Sequence, residues 1–342
     1  MILTDDFDFY LPEELIAQQP AFPRDHCRLM VIDSQSQLIE HRMFFELGCY
    51  LKPGDLLVVN DSRVIPARFY TKKNPSEGKV ELLFLHHHQG LWACMLSHSR
   101  RIREGTILSL QENSEIFWQV LKKEKDWWLL QPSFPSEKEN EIFSNYGVTP
   151  TPPYIKNSQV KLEDYQTVYA RRAGSVAAPT AGLHFTLSLI NKLKRQGIEF
   201  ASLTLHVGPG TFFPVKTHTI EEHQMHSEWY ELDQETAQTI RKTKKNGGRV
   251  IAVGTTVIRV LESIYQQRGE IVEQSGVTNI FIYPGFQFRV IDAMITNFHI
   301  PRSTLFMLVC AFAGTEFMKN AYQEAVTKHY RFFSFGDTKL IL

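Results

Sequence analysis

The chain has 342 residues, of which 43% are hydrophobic and 22% charged. This is the composition of a globular protein with room for two ordinary domains. Its 37 basic residues balance its 37 acidic residues, which excludes a histone-like polyanion binder but not an enzyme with a local basic face.

The cysteines and the apolar segments predict a cellular compartment. The four cysteines, Cys27, Cys49, Cys94 and Cys310, are widely spaced and form no CxxC pair. This argues against a disulfide framework or a zinc ribbon and favours a reducing environment. The acidic first residues do not resemble a signal peptide, and the longest apolar stretch, which begins at Leu305, is too short to span a bilayer. We therefore predict a cytoplasmic protein that does not contact a membrane.

The first part of the chain predicts a small αβ unit. PEELIAQ (12–18) is expected to form a short helix, and RLMVID (28–33) and LIEHRMF (38–44) a hairpin. DLLVVN (55–60) is expected to be a buried strand, and it ends at a polar cluster that contains Asp61 and Arg63.

The sequence changes character between residues 67 and 149. Short apolar or alternating runs, KVELLFL, LWACML, GTILSL, EIFWQVL and DWWLLQ, are separated by turn-rich pieces. Short strands at this spacing predict a small barrel or sandwich. The triple histidine 86–88 is expected at an exposed turn.

Helices and strands alternate again after the proline-rich VTPTPPYIK. Two helices are predicted to end at glycine, LSLINKLKRQG and VIRVLESIYQQRG, and a long helical run is predicted from Ser303 to about Tyr330. The predicted fold class is therefore a mixed α/β main domain, residues 1–66 and 150–342, with an inserted all-β, barrel-like domain, residues 67–149.

The stretch GSVAAPTAGLHFT (174–186) is nearly free of large side chains until Leu183. Small residues allow close approach to a flat ligand, so Ser175, Ala178 and Thr180 are candidate wall residues. His184 and Phe185 are expected at the rim of this wall. The alternative is a tightly packed junction with a structural histidine.

Two further segments place polar groups beside turns. His206 ends a predicted strand and is followed by Gly208, Gly210 and Thr211, at a position where α/β sheets often bind ligands. Thr255 and Thr256 begin a predicted helix, where free N–H groups can bind an anion. A tight turn and ordinary helix capping are the alternatives.

A histidine-rich segment raises the question of a metal site. His223, His226 and Glu228 could share an ion, but their spacing matches no common zinc motif. Proton transfer or hydrogen bonding to a substrate is favoured. We predict no metal. The candidate RNA-binding residues come from basic runs, namely Arg100, Arg101, Arg103, Arg171, Lys244 and Lys245.

These motifs together resemble one family. YQTVYARRAGSVAAPTAGLHFT, LTLHVGPGTFFPV, HQMHSEWYEL, VGTTVIRVLES and MITNFHIPRSTLFMLVCAFAG follow PRDHCRLMVID and LKPGDLLVVNDSRVIPAR in this order. The sequence from about Asp6 to its end is similar to the S-adenosylmethionine:tRNA ribosyltransferase-isomerases of queuosine biosynthesis. The resemblance implies an α/β main domain with an inserted β-barrel-like domain.

The resemblance also implies a reaction. Such enzymes transfer and isomerise the ribosyl moiety of S-adenosylmethionine onto 7-aminomethyl-7-deazaguanine at the tRNA wobble position. Epoxyqueuosine-tRNA forms, and adenine and methionine are released. S-adenosylmethionine is then a co-substrate, tRNA carrying the modified base is the partner, no prosthetic group is needed, and the protein is a monomer.

That chemistry needs a base near the carbon beside the sulfonium, an acid for adenine loss, and donors for the sugar and the carboxylate. The predicted proton carriers are His184, His206, His226, Glu228 and His299. The predicted substrate-binding residues are Asp61, Arg63, Ser175, Ala178, Thr180, Phe185, Gly208, Gly210, Thr211, Thr255, Thr256 and Asn297.

Some residues depart from the family pattern. Phe213 replaces a commonly polar or basic residue, Pro209 lies in the glycine turn, and the ending SFGDTKLIL differs from a YGDAMLI-like ending. Two other functions stay open at this point, a non-catalytic RNA-binding module and a metal-dependent hydrolase.

Overall fold

A mixed nine-stranded sheet forms the centre of the part of the protein that lies outside residues 67–149. The fold is that of a computed structural model, which describes residues 1–124, 127–156, 160–208 and 214–342. The strands are β1 Arg28–Asp33, β2 Leu38–Met43, β3 Leu56–Asn60, β4 Ser62–Val64, β5 Arg68–Asn74, β6 Lys79–His88, β7 Leu91–Leu96, β8 Ile107–Leu110, β9 Phe117–Lys123, β10 Trp128–Pro132, β11 Arg172–Ser175, β12 Glu199–Leu205, β13 Glu228–Leu232, β14 Val250–Val253, β15 Gln274–Thr278, β16 Ala293–Asn297 and β17 Thr338–Ile341. The α-helices are α1 Glu139–Tyr146, α2 Leu187–Arg195, α3 Gln234–Lys245, α4 Thr255–Arg268, α5 Thr304–Ala313 and α6 Thr315–Thr327.

The strand order of the sheet is β15-β13-β12-β3-β14-β16-β17-β1-β2 among the described residues. Its centre is parallel, because β3 pairs in parallel with β12 and β14, and β14 pairs in parallel with β16. The three strands β3, β14 and β16 are buried at every position. Continuous burial is what a parallel sheet covered on both faces requires.

The two faces of the sheet pack against different helices. In β3, Leu56 and Val58 join the core that α4, α5 and α6 cover, whereas Leu57 and Val59 join the core that includes Leu189 and Leu193 of α2. This alternation follows from the period of two along a strand. The carboxyl ends of the four parallel strands meet at one edge of the sheet.

A closed barrel is formed by the predicted insert. Its antiparallel order is β10-β7-β6-β5-β8-β9, and Phe69, Trp92 and Trp118 fill its interior. Phe143 of α1 stacks on Trp92 with ring centroids 5.1 Å apart. The prediction of an α/β fold with a β-barrel-like part is confirmed. The domain boundaries at residues 67 and 149 stay a prediction.

Several predicted elements are confirmed, and others are wrong. The hairpin, the buried strand DLLVVN and the helices ending at Gly197 and Gly269 are all present. PEELIAQ forms a single 3-10 turn, Glu13–Leu15, because the backbone that follows bonds to Phe332 instead of continuing a helix.

The other differences concern β5, β6 and the last helical run. Strand β5 was not predicted, because its sequence RFYTKKN is mostly polar. The histidines 86–88 are exposed as predicted, but they belong to β6, and the turn follows them. The long helical run is two helices, α5 and α6, separated by Gly314 with φ +90°. Among the described residues, we find no helix that combines the length and the apolar character that crossing a membrane requires.

Candidate functional site

A cavity lies at the carboxyl edge of the parallel strands β14 and β16. The empty space in it, counted together with the solvent at its open side, is about 640 Å³. Its walls are residues 178–181, 254–256 and 296–300, together with Tyr154, Val207, Ser303, Leu305, Phe333 and Ser334. This edge is the usual ligand position in α/β proteins.

One wall of the cavity is formed by the start of α4. Gly254 has φ +95°, which an L side chain rarely adopts, and it turns the chain from β14 directly into the helix. Thr255 and Thr256 are therefore in the first turn, where backbone N–H groups lack intrahelical partners. Asn60 Nδ2 donates to Thr256 Oγ1 at 3.3 Å and so links this turn to the end of β3.

The small-residue run forms the facing wall. Ala178, Thr180 and Ala181 line the cavity, and a Cβ added at Gly254 would lie 3.6 Å from the Ala181 methyl group. Larger side chains in this run would fill the space between the two walls. The geometry agrees with a close-fitting wall, although the roles of Ala178 and Thr180 in binding stay predictions.

His299 is the predicted proton carrier that lines the cavity. It is 6% exposed, its Nε2 lies 3.1 Å from Thr296 Oγ1, and its Nδ1 lies 3.4 Å from the Tyr322 hydroxyl. Burial, with a further contribution from Lys339, lowers the pKa of His299 well below the usual range. The imidazole is therefore neutral at pH 7.

His184 and Phe185 do not stand at the rim, and that expectation is wrong. The two side chains are 4% and 0% exposed, and both contact Phe44, with ring centroids 5.5 and 5.0 Å away. Phe185 belongs to the core beneath α2. The two side chains are therefore buried among apolar residues on the face of the sheet opposite α4, and they are not exposed to solvent as expected.

His184 is held inside this core by a thiol. Its Nδ1 lies 3.2 Å from Cys27 Sγ. Burial lowers the pKa of His184 to about 4, an effect that the side chain of Asn297 opposes only in part. His184 Nε2 and Asn297 Oδ1 are both buried and have no hydrogen-bond partner among the described residues. Asn297 lines the cavity, whereas His184 is not part of the wall that the described residues form.

His206 lies in a second polar cluster, next to the end of β12. Its ring stacks on Trp229 at 5.0 Å, and a Cβ at Gly174, which has φ +136°, would lie 2.9 Å from that ring. Burial is the main cause that lowers the pKa of His206. His206 is not part of the cavity wall that the described residues form.

Asp61 is fully engaged in this second cluster. It accepts from Thr204 Oγ1 at 2.6 Å and from Arg171 Nε at 3.0 Å. Ser175 has a structural role, since it donates to Ala177 O at 2.7 Å and accepts from Val207 N at 2.9 Å. Arg63 is exposed on β4.

Glu228 is not a free carboxylate. It pairs with Arg259 of α4, and its Oε1 accepts from the backbone N–H of Gly208 at 2.8 Å. His226 is exposed in the non-helical segment 223–227. Among the described residues, no three His, Cys, Asp or Glu side chains lie where they could hold one metal ion. Gly210 and Thr211 lie outside the described residues.

The predicted RNA-binding cations occupy different parts of the protein. Arg100, Arg101 and Arg103 are exposed between β7 and β8 of the barrel. Arg171 pairs with Asp61 but stays 64% exposed. Lys244 pairs with Asp292 at 2.7 Å, and Asp292 also accepts from Val250 N, at the start of β14. Lys244 and Lys245 are therefore near the amino edge of the sheet, opposite the cavity.

Several residues that line the cavity were not predicted from the sequence. Tyr154 stacks on Phe333 at 4.3 Å, and its hydroxyl lies 2.6 Å from Ser334 Oγ. These residues come from distant segments, so no local pattern predicts them. Ser303 could have been predicted as a helix N-cap, because it directly precedes an apolar run. In the structure it caps α5, and its hydroxyl oxygen accepts from Phe306 N at 3.1 Å.

An α/β sheet with a cavity at the carboxyl edge of its parallel strands is the architecture of a ligand-binding α/β protein. The model of the queuosine biosynthesis protein family matches residues 4–341. Two relatives named S-adenosylmethionine:tRNA ribosyltransferase-isomerase, from Thermotoga petrophila and Carboxydothermus hydrogenoformans, are each 51% identical. The first covers 99% of both chains, and the second covers 98% of this chain and 99% of the relative.

A solved structure of S-adenosylmethionine tRNA ribosyltransferase from Thermotoga maritima is also similar. It is 40% identical, covers 98% of this chain and 100% of its own, and superposes with a TM-score of 0.58. The chain belongs to the queuosine biosynthesis protein family.

Proposed function

We propose that the protein transfers and isomerises the ribosyl moiety of S-adenosylmethionine onto 7-aminomethyl-7-deazaguanine at the tRNA wobble position. Epoxyqueuosine-tRNA is formed, with release of adenine and methionine. The observation that carries the proposal is the cavity between the small-residue wall and the start of α4, in a chain whose relatives bear the name of this activity.

The cavity suits the nucleoside and amino-acid parts of S-adenosylmethionine. Residues 178–181 offer a flat surface without long side chains for a base or a sugar. The first turn of α4 supplies N–H donors and the Thr255 hydroxyl for the methionine carboxylate, because a helix N-terminus favours negative charge. These two features lie on facing walls, so one extended ligand can contact both.

His299 suits a donor role better than the role of a base. Because burial lowers its pKa, it is neutral at working pH and can donate a hydrogen bond without carrying a full charge. Loss of adenine needs a donor to the leaving base. Glu228 and His184, both predicted as proton carriers, are buried and engaged elsewhere, whereas His299 lines the cavity and can act on a ligand through its hydrogen bond to Thr296.

An open cleft offers the route for the tRNA base. It is lined by residues 8–11, Ile16, Pro214, residues 300–302 and Phe333, and so shares Ile300 and Phe333 with the cavity. Tyr10 is 77% exposed there, and aromatic faces stack on unpaired bases. A nucleotide turned out of the anticodon loop would thus reach the cavity through this cleft.

The two alternatives are not favoured. A metal-dependent hydrolase would need a ligand set, and His223, His226 and Glu228 are not brought together as one. A pure RNA-binding module would not need a cavity with buried donors. The proposal further includes a monomer without a prosthetic group, acting in the cytoplasm, where its tRNA partner is found.

The test is incubation with S-adenosylmethionine and tRNA that carries 7-aminomethyl-7-deazaguanine. We expect one adenine for each modified base consumed. The matched control is the same tRNA with guanine at the wobble position, which lacks the accepting amine. Equal adenine release from both tRNAs, or none from either, would contradict the proposal.

A further inference from the structure

A lysine is buried directly behind His299. Lys339 of β17 is 0% exposed, and its Nζ donates to the carbonyl oxygen of Asn297 at 2.6 Å and to the Tyr322 hydroxyl at 2.7 Å. The same Nζ lies 4.7 Å from the ring centroids of Phe298 and Tyr322. No carboxylate pairs with Lys339 among the described residues. The Asn297 carbonyl, the Tyr322 hydroxyl and the two ring faces are therefore its stabilising contacts.

The hydroxyl group of Tyr322 can point in one direction only. Its oxygen accepts from Lys339 Nζ and, at 3.1 Å, from the backbone N–H of His299. A hydroxyl oxygen has two lone pairs, so both are used. Within the described parts of the chain, the hydroxyl hydrogen then has one acceptor within reach, His299 Nδ1 at 3.4 Å.

This direction holds for both protonation states of Lys339. An ammonium has no lone pair and can only donate. A neutral amine that accepted from Tyr322 would keep one buried N–H without a partner, and an unpaired buried donor is costly. When the amine donates to both Asn297 and Tyr322, no N–H is left over.

The tautomer of His299 follows. Since Nδ1 accepts, the proton of the neutral ring is on Nε2, which donates to Thr296 Oγ1 at 3.1 Å. Thr296 Oγ1 has no other hydrogen-bond partner in the described ranges, and Thr296 lines the cavity. Its hydroxyl hydrogen is thus free to point at a ligand.

We propose that Lys339 and Tyr322 are positioning residues that hold His299 as its Nε2–H tautomer and thereby make the Thr296 hydroxyl a donor to the substrate. The last step rests on the proposed function, and the acceptor it would meet is a ring nitrogen or sugar oxygen of the nucleoside. His299 is then not the base that removes a proton from the substrate.

The first test reads the tautomer without any substrate. The ¹⁵N shifts and long-range couplings of the His299 imidazole, assigned by their loss in His299→Asn, distinguish Nε2–H from Nδ1–H. We expect Nε2–H in the unaltered protein. Lys339→Met has a side chain of similar length and matches the YGDAMLI-like ending. It removes the hydrogen bond to Tyr322, so the Tyr322 oxygen can accept from Nδ1–H, and we expect a mixture of the two tautomers.

Tyr322→Phe keeps the ring and removes the donor to Nδ1. The ring should stay Nε2–H, but the ¹⁵N shift of Nδ1 should move towards that of an imine nitrogen without a hydrogen bond, so this variant gives a second readout if Lys339→Met fails to fold. An Nδ1–H tautomer in the unaltered protein, an unchanged tautomer in folded Lys339→Met, or an unchanged Nδ1 shift in folded Tyr322→Phe would overturn the proposal. Neither outcome depends on whether the protein acts on S-adenosylmethionine.

The second test concerns Thr296. Thr296→Val should weaken S-adenosylmethionine binding about fivefold, the usual effect of one lost hydrogen bond, and Thr296→Ser should restore it. Equal affinity of the Val and Ser variants would show that the hydroxyl is not a donor to this ligand. If the unaltered protein does not bind S-adenosylmethionine, the proposed function fails while the tautomer result stands.

Discussion

Glu228 and Arg259 form an ion pair in which both side chains are 5% exposed. The pair joins β13 to α4, and the second carboxylate oxygen accepts from the backbone N–H of Gly208. Arg259 Nε and Nη2 are buried and have no partner among the described residues. Glu228 therefore neutralises a buried guanidinium group that has few other hydrogen-bond partners among the described residues.

The first prediction follows from this pair. Glu228→Gln removes the negative charge and keeps the shape, so it leaves the Arg259 charge buried without compensation. The expected loss in the free energy of unfolding is about 3 kcal/mol. Denaturant titration measures it, with Glu316→Gln as the control, because Glu316 is 86% exposed. A loss in Glu228→Gln no larger than in the control would contradict a structural role for this pair.

The second prediction concerns His184 and pH. Its pKa falls from an ordinary 6.5 to about 4 on folding because of burial. The unfolded chain binds a proton between these values and the folded protein does not, so stability falls as the pH drops from 6.5 to 4. Above 6.5 the residue is neutral in both states and has no effect.

A pKa shift of this size lowers the free energy of unfolding by about 3 kcal/mol between pH 6.5 and pH 4. We expect part of the acid sensitivity to disappear in His184→Asn, when unfolding free energies at pH 7.5 and pH 5 are compared. His299 shifts in the same direction, so some sensitivity stays. His88→Asn, an exposed position on β6, is the control. An undiminished pH dependence in His184→Asn would disprove the assignment.

Local sequence patterns predict strands and helices correctly where the residue types and the spacing of apolar residues indicate the same element. Leu56–Asn60 is apolar throughout and is a central strand, and Gly197 and Gly269 follow α2 and α4 at φ +82° and +76°. The sequence is less informative where tertiary pairing decides. The Ile16 region bonds to Phe332, more than three hundred residues away, which no local rule anticipates.

The same difference between local sequence patterns and tertiary packing applies to the candidate site. Thr255, Thr256, Ala178, Thr180, Asn297 and His299 were predicted from motifs, and all line the cavity. His184 was misplaced at the rim because the motif does not tell which side of the sheet a side chain faces. Lys339 and Tyr322 lie near His299 because β17 pairs with β16 and α6 packs against them. These are tertiary contacts, so the sequence could not predict that either residue belongs to the site.

The third prediction is that turnover does not depend on a metal ion. The histidine segment does not match a common ligand spacing, and the proposed reaction needs no Lewis acid. After exhaustive dialysis against chelator, adenine release should proceed at its full rate. Activity that vanishes on chelation and returns with added zinc would contradict this prediction.

The fourth prediction tests the anion site at the start of α4. Thr255→Val removes a hydroxyl in the first helical turn while keeping the branched shape. One lost hydrogen bond should weaken S-adenosylmethionine binding about fivefold, and Thr255→Ser should recover the affinity. Thr239→Val is the matched control on α3, where the hydroxyl donates to Glu235 O at 2.9 Å. Equal affinities of the Thr255 and Thr239 valine variants would place the carboxylate elsewhere.

The fifth prediction concerns tRNA binding by the barrel. Arg100, Arg101 and Arg103 are exposed, and none of them forms an ion pair within the described parts of the chain, so their charges are available for phosphates. Each arginine that contacts a phosphate should contribute about one unit to the slope of log affinity against log salt. Replacing each one with Gln should weaken tRNA binding and lower the slope accordingly.

Lys244→Gln is the comparison for these variants. Asp292 already neutralises Lys244, and both lie at the edge of the sheet opposite the cavity. We therefore expect a smaller change in tRNA affinity and little change in slope. Binding is measured at several salt concentrations with the same tRNA. If the arginine variants bind normally while Lys244→Gln binds weakly, the RNA lies across α3 rather than the barrel.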